Sequence, residues 1–168
     1  MPDVTPEVFR QVMGHFATGV AIVTTRHGND AHGTTISAVS SVSLQPPLIL
    51  ICVDRASDIH DLIRASGVFA VNMLHGGQRD LAVALSQKGT PELLAAHRLE
   101  SLPYRIADTG APLLTEHLAW VECLLETEIE AGDHTIYVGR VAGAGVRQVD
   151  DGPLLHYQGR YRALGGSL

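Results

Sequence analysis

Apolar residues along this 168-residue chain recur first at helical spacing. After that, for most of its length, they recur at every second position or in short unbroken runs. Thr5 can cap a helix, Pro6 takes the favoured first position, and Phe9, Val12, Met13 and Phe16 share one face. Gly14 weakens that helix and Gly19 ends it. Residues 20–26, VAIVTTR, are β-branched and predict a strand, and HGND after them is turn chemistry. Residues 48–54, LILICVD, predict a buried strand. A short helix over 57–67 follows, with Ser57 as N-cap, Ile59, Leu62 and Ile63 inward, and Gly67 at its stop. Residues 68–74 predict another strand, and 77–99 predict helix with Pro91 opening a second piece. Residues 118–132 and 134–146 read as a hairpin across Gly132-Asp133, and 153–164 as a short tail. Many strands, few helices and no linker or repeat predict one mainly β domain over 1–168, an antiparallel barrel with peripheral helices.

One stretch departs from core chemistry. Residues 33–47, GTTISAVSSVSLQPP, carry Thr34, Thr35, Ser37, Ser40, Ser41 and Ser43 among small apolar residues. A core strand would use Val, Ile and Phe, and a linker more glycine and charge. Taken as one strand, the run puts Thr35, Ser37, Val39, Ser41 and Ser43 on one face, until Pro46 and Pro47 break the ladder. Small hydroxyl residues leave room for a flat ligand against the backbone, and they equally serve as filler on an exposed face. Ser57 at a helix start beside Arg55 is either an anion site or a plain cap with a solvated arginine. His134, at a hairpin tip, either faces a ligand or decorates the surface.

Charge and cysteine content narrow the classes. A net charge of −6 excludes a broad nucleic-acid footprint. No run approaches the roughly 18–20 apolar residues of a membrane helix, and the opening segment is amphipathic, so the reading is a soluble cytoplasmic protein. Cys52 and Cys123 lie in apolar runs and read as buried small hydrophobes. Nine histidines are scattered without ligand spacing, so no metal is expected. The chain has no phosphate loop and no serine-hydrolase elbow. GAGVRQ at 143–148 lacks the last glycine of a dinucleotide fingerprint.

The motifs, taken in order, resemble the short-chain flavin reductase family, the reductase components of two-component flavin monooxygenases. The similarity runs over residues 9–161. It is carried by FATGVAIVTT at 16–25, by the hydroxyl-rich run with its double proline, buried strand and Ser-capped helix, by FAVNML at 69–74, GDH at 132–134 and PLLHYQGRY at 153–161. The resemblance implies an FMN-binding split barrel of Greek-key type and a homodimer with flavin near the subunit interface. It implies FMN or FAD, NADH or NADPH as reductant, and a monooxygenase component as partner. Carried over by motif, Thr35, Ile36, Ser37 and Ala38 would line the isoalloxazine, with Ser41 and Ser43 further along. Asp54, Arg55 and Ser57 would approach the ribityl and phosphate end, and Arg98 would add a phosphate contact; Leu99 departs from the family's usual Phe. His134, the catalytic position, would face the nicotinamide as a positioning group, since hydride transfer needs placement rather than a proton donor. Gly132 and Asp133 would shape its loop, Tyr161 matches the family, and His156 stands where the family often has Tyr. Two other classes stay open: a split barrel that binds flavin without turnover, and a flavoenzyme acting directly on its own organic substrate.

Overall fold

Two strands adjacent in sequence lie at opposite edges of one sheet, and this dictates the architecture. The computed structural model describes residues 3–87, 99–148 and 151–165. Helix α1 (Pro6–Met13) precedes β1 (Thr18–Gly19), β2 (Ala21–His27), β3 (Asp30–Ile36), β4 (Val39–Leu44) and β5 (Pro47–Asp54). Then come α2 (Asp58–Ser66), β6 (Val68–Met73), α3 (Arg79–Ala84), β7 (Tyr104–Ile106) and β8 (Pro112–Leu114). The hairpin β9 (Ala119–Ala131) and β10 (His134–Val146) follows, and β11 (Leu154–Tyr157) and β12 (Arg160–Ala163) close the chain. Seven strands pair antiparallel in the order β3-β2-β6-β9-β10-β5-β4. Laid flat, six strand spacings would hold the edges about 29 Å apart, whereas the three peptide links from Ile36 to Val39 reach about 11 Å. The sheet must therefore curl until its edges nearly meet. No ladder joins β3 to β4 among the described residues, so the barrel is split there.

Both faces of the curled sheet are covered, which explains the unbroken burial of residues 20–25 where simple alternation would expose every second one. Ala21 and Val23 pack with Ile59 and Ile63 of α2 and with Ile51, Phe69, Val71 and Tyr137. Val20 and Ile22 pack on the other side with Leu74, Leu85, Leu99, Leu114 and Leu154. Gly67, at φ 68°, ends α2 in the left-handed conformation.

Several expectations are revised. The hydroxyl-rich run is two strands, parted at Ser37-Ala38 and bulged between Ser41 and Ser43, so its even face does not persist. Pro47 opens β5, a first-residue position that loses no interior ladder bond. α1 stops at Gly14, and among the described residues its apolar face finds no cover: Phe9 is 59% and Val12 62% exposed. The C-terminal tail is a hairpin, β11–β12, paired to β1. Two three-residue strands, β7 and β8, carried no periodic signal. Of the helix expected over 77–99, α3 holds six residues after a 3₁₀ turn at Gly76–Gln78, and Pro91 lies outside the described residues.

Candidate functional site

The split opens a cleft of about 480 Å³. One wall is the β3–β4 crossing. Thr35 donates its N–H to the Leu85 carbonyl at 3.0 Å and its hydroxyl to the Ala82 carbonyl at 2.8 Å; the Thr34 hydroxyl reaches the Leu85 carbonyl at 3.4 Å. These hydroxyls satisfy carbonyls left over at the end of α3, so part of the hydroxyl richness is a clamp. Ser37 and Ala38, both exposed, lie outside the ladders, and the Ala38 carbonyl accepts the Cys52 N–H at 3.1 Å. With a hydroxymethyl and a methyl as the only side chains here, a flat ring can approach the backbone.

The second wall is the turn into α2. The Asp54 carboxylate accepts the Ala56 N–H at 2.9 Å, and the Asp54 carbonyl accepts the Ser57 N–H at 3.0 Å. Ser57 takes the N-cap position with extended backbone, yet its hydroxyl makes no capping bond. Ser57 and the positive end of this nine-residue helix line the cleft, tempered by Asp58 and Asp61 in the first turn.

His134 stands at the mouth, at the start of β10 and opposite Asp54 in the β5 ladder. Gly132, at φ 65°, supplies the left-handed residue of the tight turn before it. The His134 Nδ1 lies 2.7 Å from Asp133 Oδ1, and that hydrogen bond holds the Asp133 carboxyl below its ordinary range. Cys52 also lines the cleft; burial pushes its thiol up, so it is no ready nucleophile.

The structure thus brings Thr35, Ile36, Ser37, Ala38, Asp54, Ser57 and His134 together around one space. Arg55 does not line it: its guanidinium lies 3.6 Å from Glu130, and its N–H donates to the Asp133 carbonyl at 3.0 Å. Gly132 and Asp133 shape the tip without lining the cleft. Ser41 and Ser43 sit on the β4 edge, where Ser43 accepts the Gln45 N–H at 3.1 Å. Tyr161, on β12, packs edge-on against His156, 5.7 Å between centroids, away from the cleft. Arg98 lies outside the described residues. Sequence reasoning missed Ser86 and Gln87, which enter from the loop after α3 and carry no local signal. It also missed Cys52 and Asp58 as lining residues, although each adjoins a motif it used.

Two apolar hollows of about 410 and 600 Å³ adjoin the cleft, and Ser37 borders all three spaces. Phe9, Met13 and Phe16 of the α1 region line the larger hollow.

The model of the flavin reductase like domain matches residues 13–165. The chain belongs to that family. An NADH-dependent flavin reductase of a Rhodococcus species is 36% identical over 167 residues, covering 97% of this chain and 89% of its own. Subunit HsaB, the reductase of a flavin-dependent monooxygenase of Mycobacterium tuberculosis, is 32% identical over 163 residues, covering 96% and 84%. The solved NADH:FAD oxidoreductase SgcE6 of Streptomyces globisporus C-1027, in complex with NAD and FAD fragments, superposes with a TM-score of 0.84 at 32% identity, covering 98% of each chain. The flavin reductase split barrel is thus the fold of this chain. The residues at the cleft fit a flavin: small side chains beside open backbone for the ring, and an uncommitted hydroxyl at a helix start for the phosphate end.

Proposed function

We propose that this protein is an NADH-dependent flavin reductase that supplies reduced flavin to a separate monooxygenase component. The observation that carries this reading is the single cleft in which Ser37-Ala38, Ser57 and His134 converge, on a chain of the flavin reductase family. A bound flavin supplies the hydride-accepting ring. The open backbone at Ser37 and Ala38 and the Ser37 hydroxyl hydrogen-bond the polar ring edge, while Thr35 and Ile36 line the ring and keep it close to the chain. Ser57 and the start of α2 hold the phosphate end, with Arg98 as a further cationic partner. Asp54 shapes the turn that presents Ser57. His134 positions the nicotinamide over the ring, where placement alone brings the reacting carbons to near-attack distance. NADH is the proposed reductant because two of the similar proteins carry it in their names, the NADH-dependent flavin reductase and the NADH:FAD oxidoreductase. A second copy of the chain, seated on the uncovered α1 face beside Ser37, completes this reading as a homodimer.

The test is NADH absorbance with purified protein and added FMN or FAD. Rapid NADH consumption that scales with free flavin is the expected outcome. Tight flavin binding with no consumption of NADH or NADPH would refute the reductase and leave a binding protein.

A further inference from the structure

His60 is 6% exposed, lies in α2 and does not line the cleft. Its Nδ1 is 2.9 Å from Asp61 Oδ1 and its Nε2 is 2.9 Å from Thr135 Oγ1. A carboxylate only accepts, so Nδ1 carries a proton toward Asp61, and the second ring nitrogen shares a hydrogen bond with the Thr135 hydroxyl. Tyr137 Oη donates to the His60 carbonyl at 3.0 Å, and the two rings lie 5.7 Å apart. One residue of α2 is therefore gripped, at ring and carbonyl, by two successive inward residues of β10, 2% and 0% exposed.

The neighbours of these gripping residues face the cleft. Ser57 and Asp58 come just before His60 in the chain, and His134 directly precedes Thr135. Beside the Arg55 N–H to Asp133 carbonyl bond and the packing of Ile59 and Ile63 on Tyr137, the ion pairs Arg55–Glu130 at 3.6 Å and Arg64–Glu128 at 3.0 Å also tie this segment to the hairpin, but they involve partly exposed charges and are screened. The His60–Thr135 bond is buried, where a lost partner is felt in full.

We infer that His60 is a positioning residue that sets the start of α2 against the strand carrying His134, and so fixes the span between the two ends of the cleft. This rests on the flavin reading above for its functional consequence. The geometric part stands on the hydrogen bonds alone.

Thr135→Val keeps the side-chain shape and removes the hydroxyl, whereas Thr135→Ser keeps the hydroxyl. Leu113→Ala, in a separate small core cluster, serves as a control for general destabilisation. Two quantities are measured: hydrogen exchange of the α2 first-turn amides in flavin-free protein, and the FMN dissociation constant. In Thr135→Val those amides should exchange faster and FMN should bind about tenfold more weakly. Thr135→Ser should restore both, and Leu113→Ala should lower the melting temperature while moving neither. Unchanged exchange in Thr135→Val would overturn the inference. So would equal loss of FMN affinity in Leu113→Ala, or faster exchange with FMN affinity intact, which would leave His60 a structural tie alone. Failure of the unmutated protein to bind FMN would instead sink the flavin reading, and the exchange measurement would still decide the tie.

Discussion

Replacing Gly139 by alanine tests how closely β10 passes over the core. A methyl group at 139 would lie 2.7 Å from Cys123 Cβ and from Phe69 Cε1, and would also meet Phe69 Cζ. Phe69 and Cys123 are fully buried, so neither can swing into solvent to make room. The ladder already shifts register between Val138 and Gly139, where the long hairpin bends across that ring. Accommodation requires moving the Phe69 ring or straightening the strand, and overpacking of this kind costs about 1–3 kcal/mol. For a chain of this size that lowers the melting temperature by roughly 3–10 °C. Thermal and urea unfolding followed by circular dichroism would read the loss. Because Phe69 is the principal obstacle, Phe69→Leu in the Gly139→Ala background should recover part of it, with a coupling of about 0.5–3 kcal/mol in the double-mutant cycle. His134 lies five residues along the same strand, about 17 Å away, so FMN affinity should stay within about twofold of the unmutated protein. A melting temperature unchanged by Gly139→Ala, or a cycle with Phe69 that is simply additive, would refute the close approach.

His134→Ala should raise the KM for NADH about tenfold or more while FMN affinity holds; steady-state kinetics beside flavin fluorescence titration checks this, and equal loss of both would defeat the positioning role. Cys52 should react slowly with iodoacetamide, because burial disfavours its thiolate, and FMN should slow it further because Cys52 lines the cleft. Mass spectrometry of the labelled peptide gives both rates, and equal labelling with and without FMN would place the flavin elsewhere. Burial, with Glu128 adding to it, pushes the Tyr137 phenol up from 10.0 to about 12. The folded state thus favours the protonated phenol, so this contribution to stability is whole below pH 10.0 and is lost as pH climbs toward 12. Phenolate absorbance should show a late-titrating group among the four tyrosines, and its persistence in Tyr137→Phe would contradict this assignment.

Much of the barrel was legible because its periodic signals are local. The runs at 20–26, 48–54 and 68–74 and the hairpin across Gly132-Asp133 all form strands where spacing and turn chemistry put them. The break at Ser37-Ala38 was not legible, because nothing between Thr34 and Ser43 disfavours extended backbone; the need to join two sheet edges is a long-range fact. For the same reason the face shared by Thr35 and Ser43 could not survive the crossing and the bulge. Phe9, Val12 and Met13 show the opposite case. Their spacing correctly predicts an amphipathic helix, but spacing does not tell which molecule covers the apolar side. Ser57, Asp54 and His134 were found through motif order, while Ser86 and Gln87 arrive from a loop whose placement only the folded chain reveals. Arg55 lies two residues before Ser57 and still turns toward Glu130, since a long side chain at a turn can reach to either side.

The strand order has a consequence for how the chain is made. The β9–β10 hairpin lies between β6 and β5, so the first half of the protein alone can build only two fragments, β3-β2-β6 and β5-β4. Each fragment would end in an unpaired, largely apolar inner edge, VFAVNM in β6 and LILICV in β5, until residues 119–146 have emerged from the ribosome. The crossing at Ser37-Ala38 keeps the two fragments in close reach during that wait, and the late hairpin then enters as a wedge that pairs with both. A nascent chain stalled before residue 119 would expose both edges at once, and should therefore be the species that a chaperone holds longest.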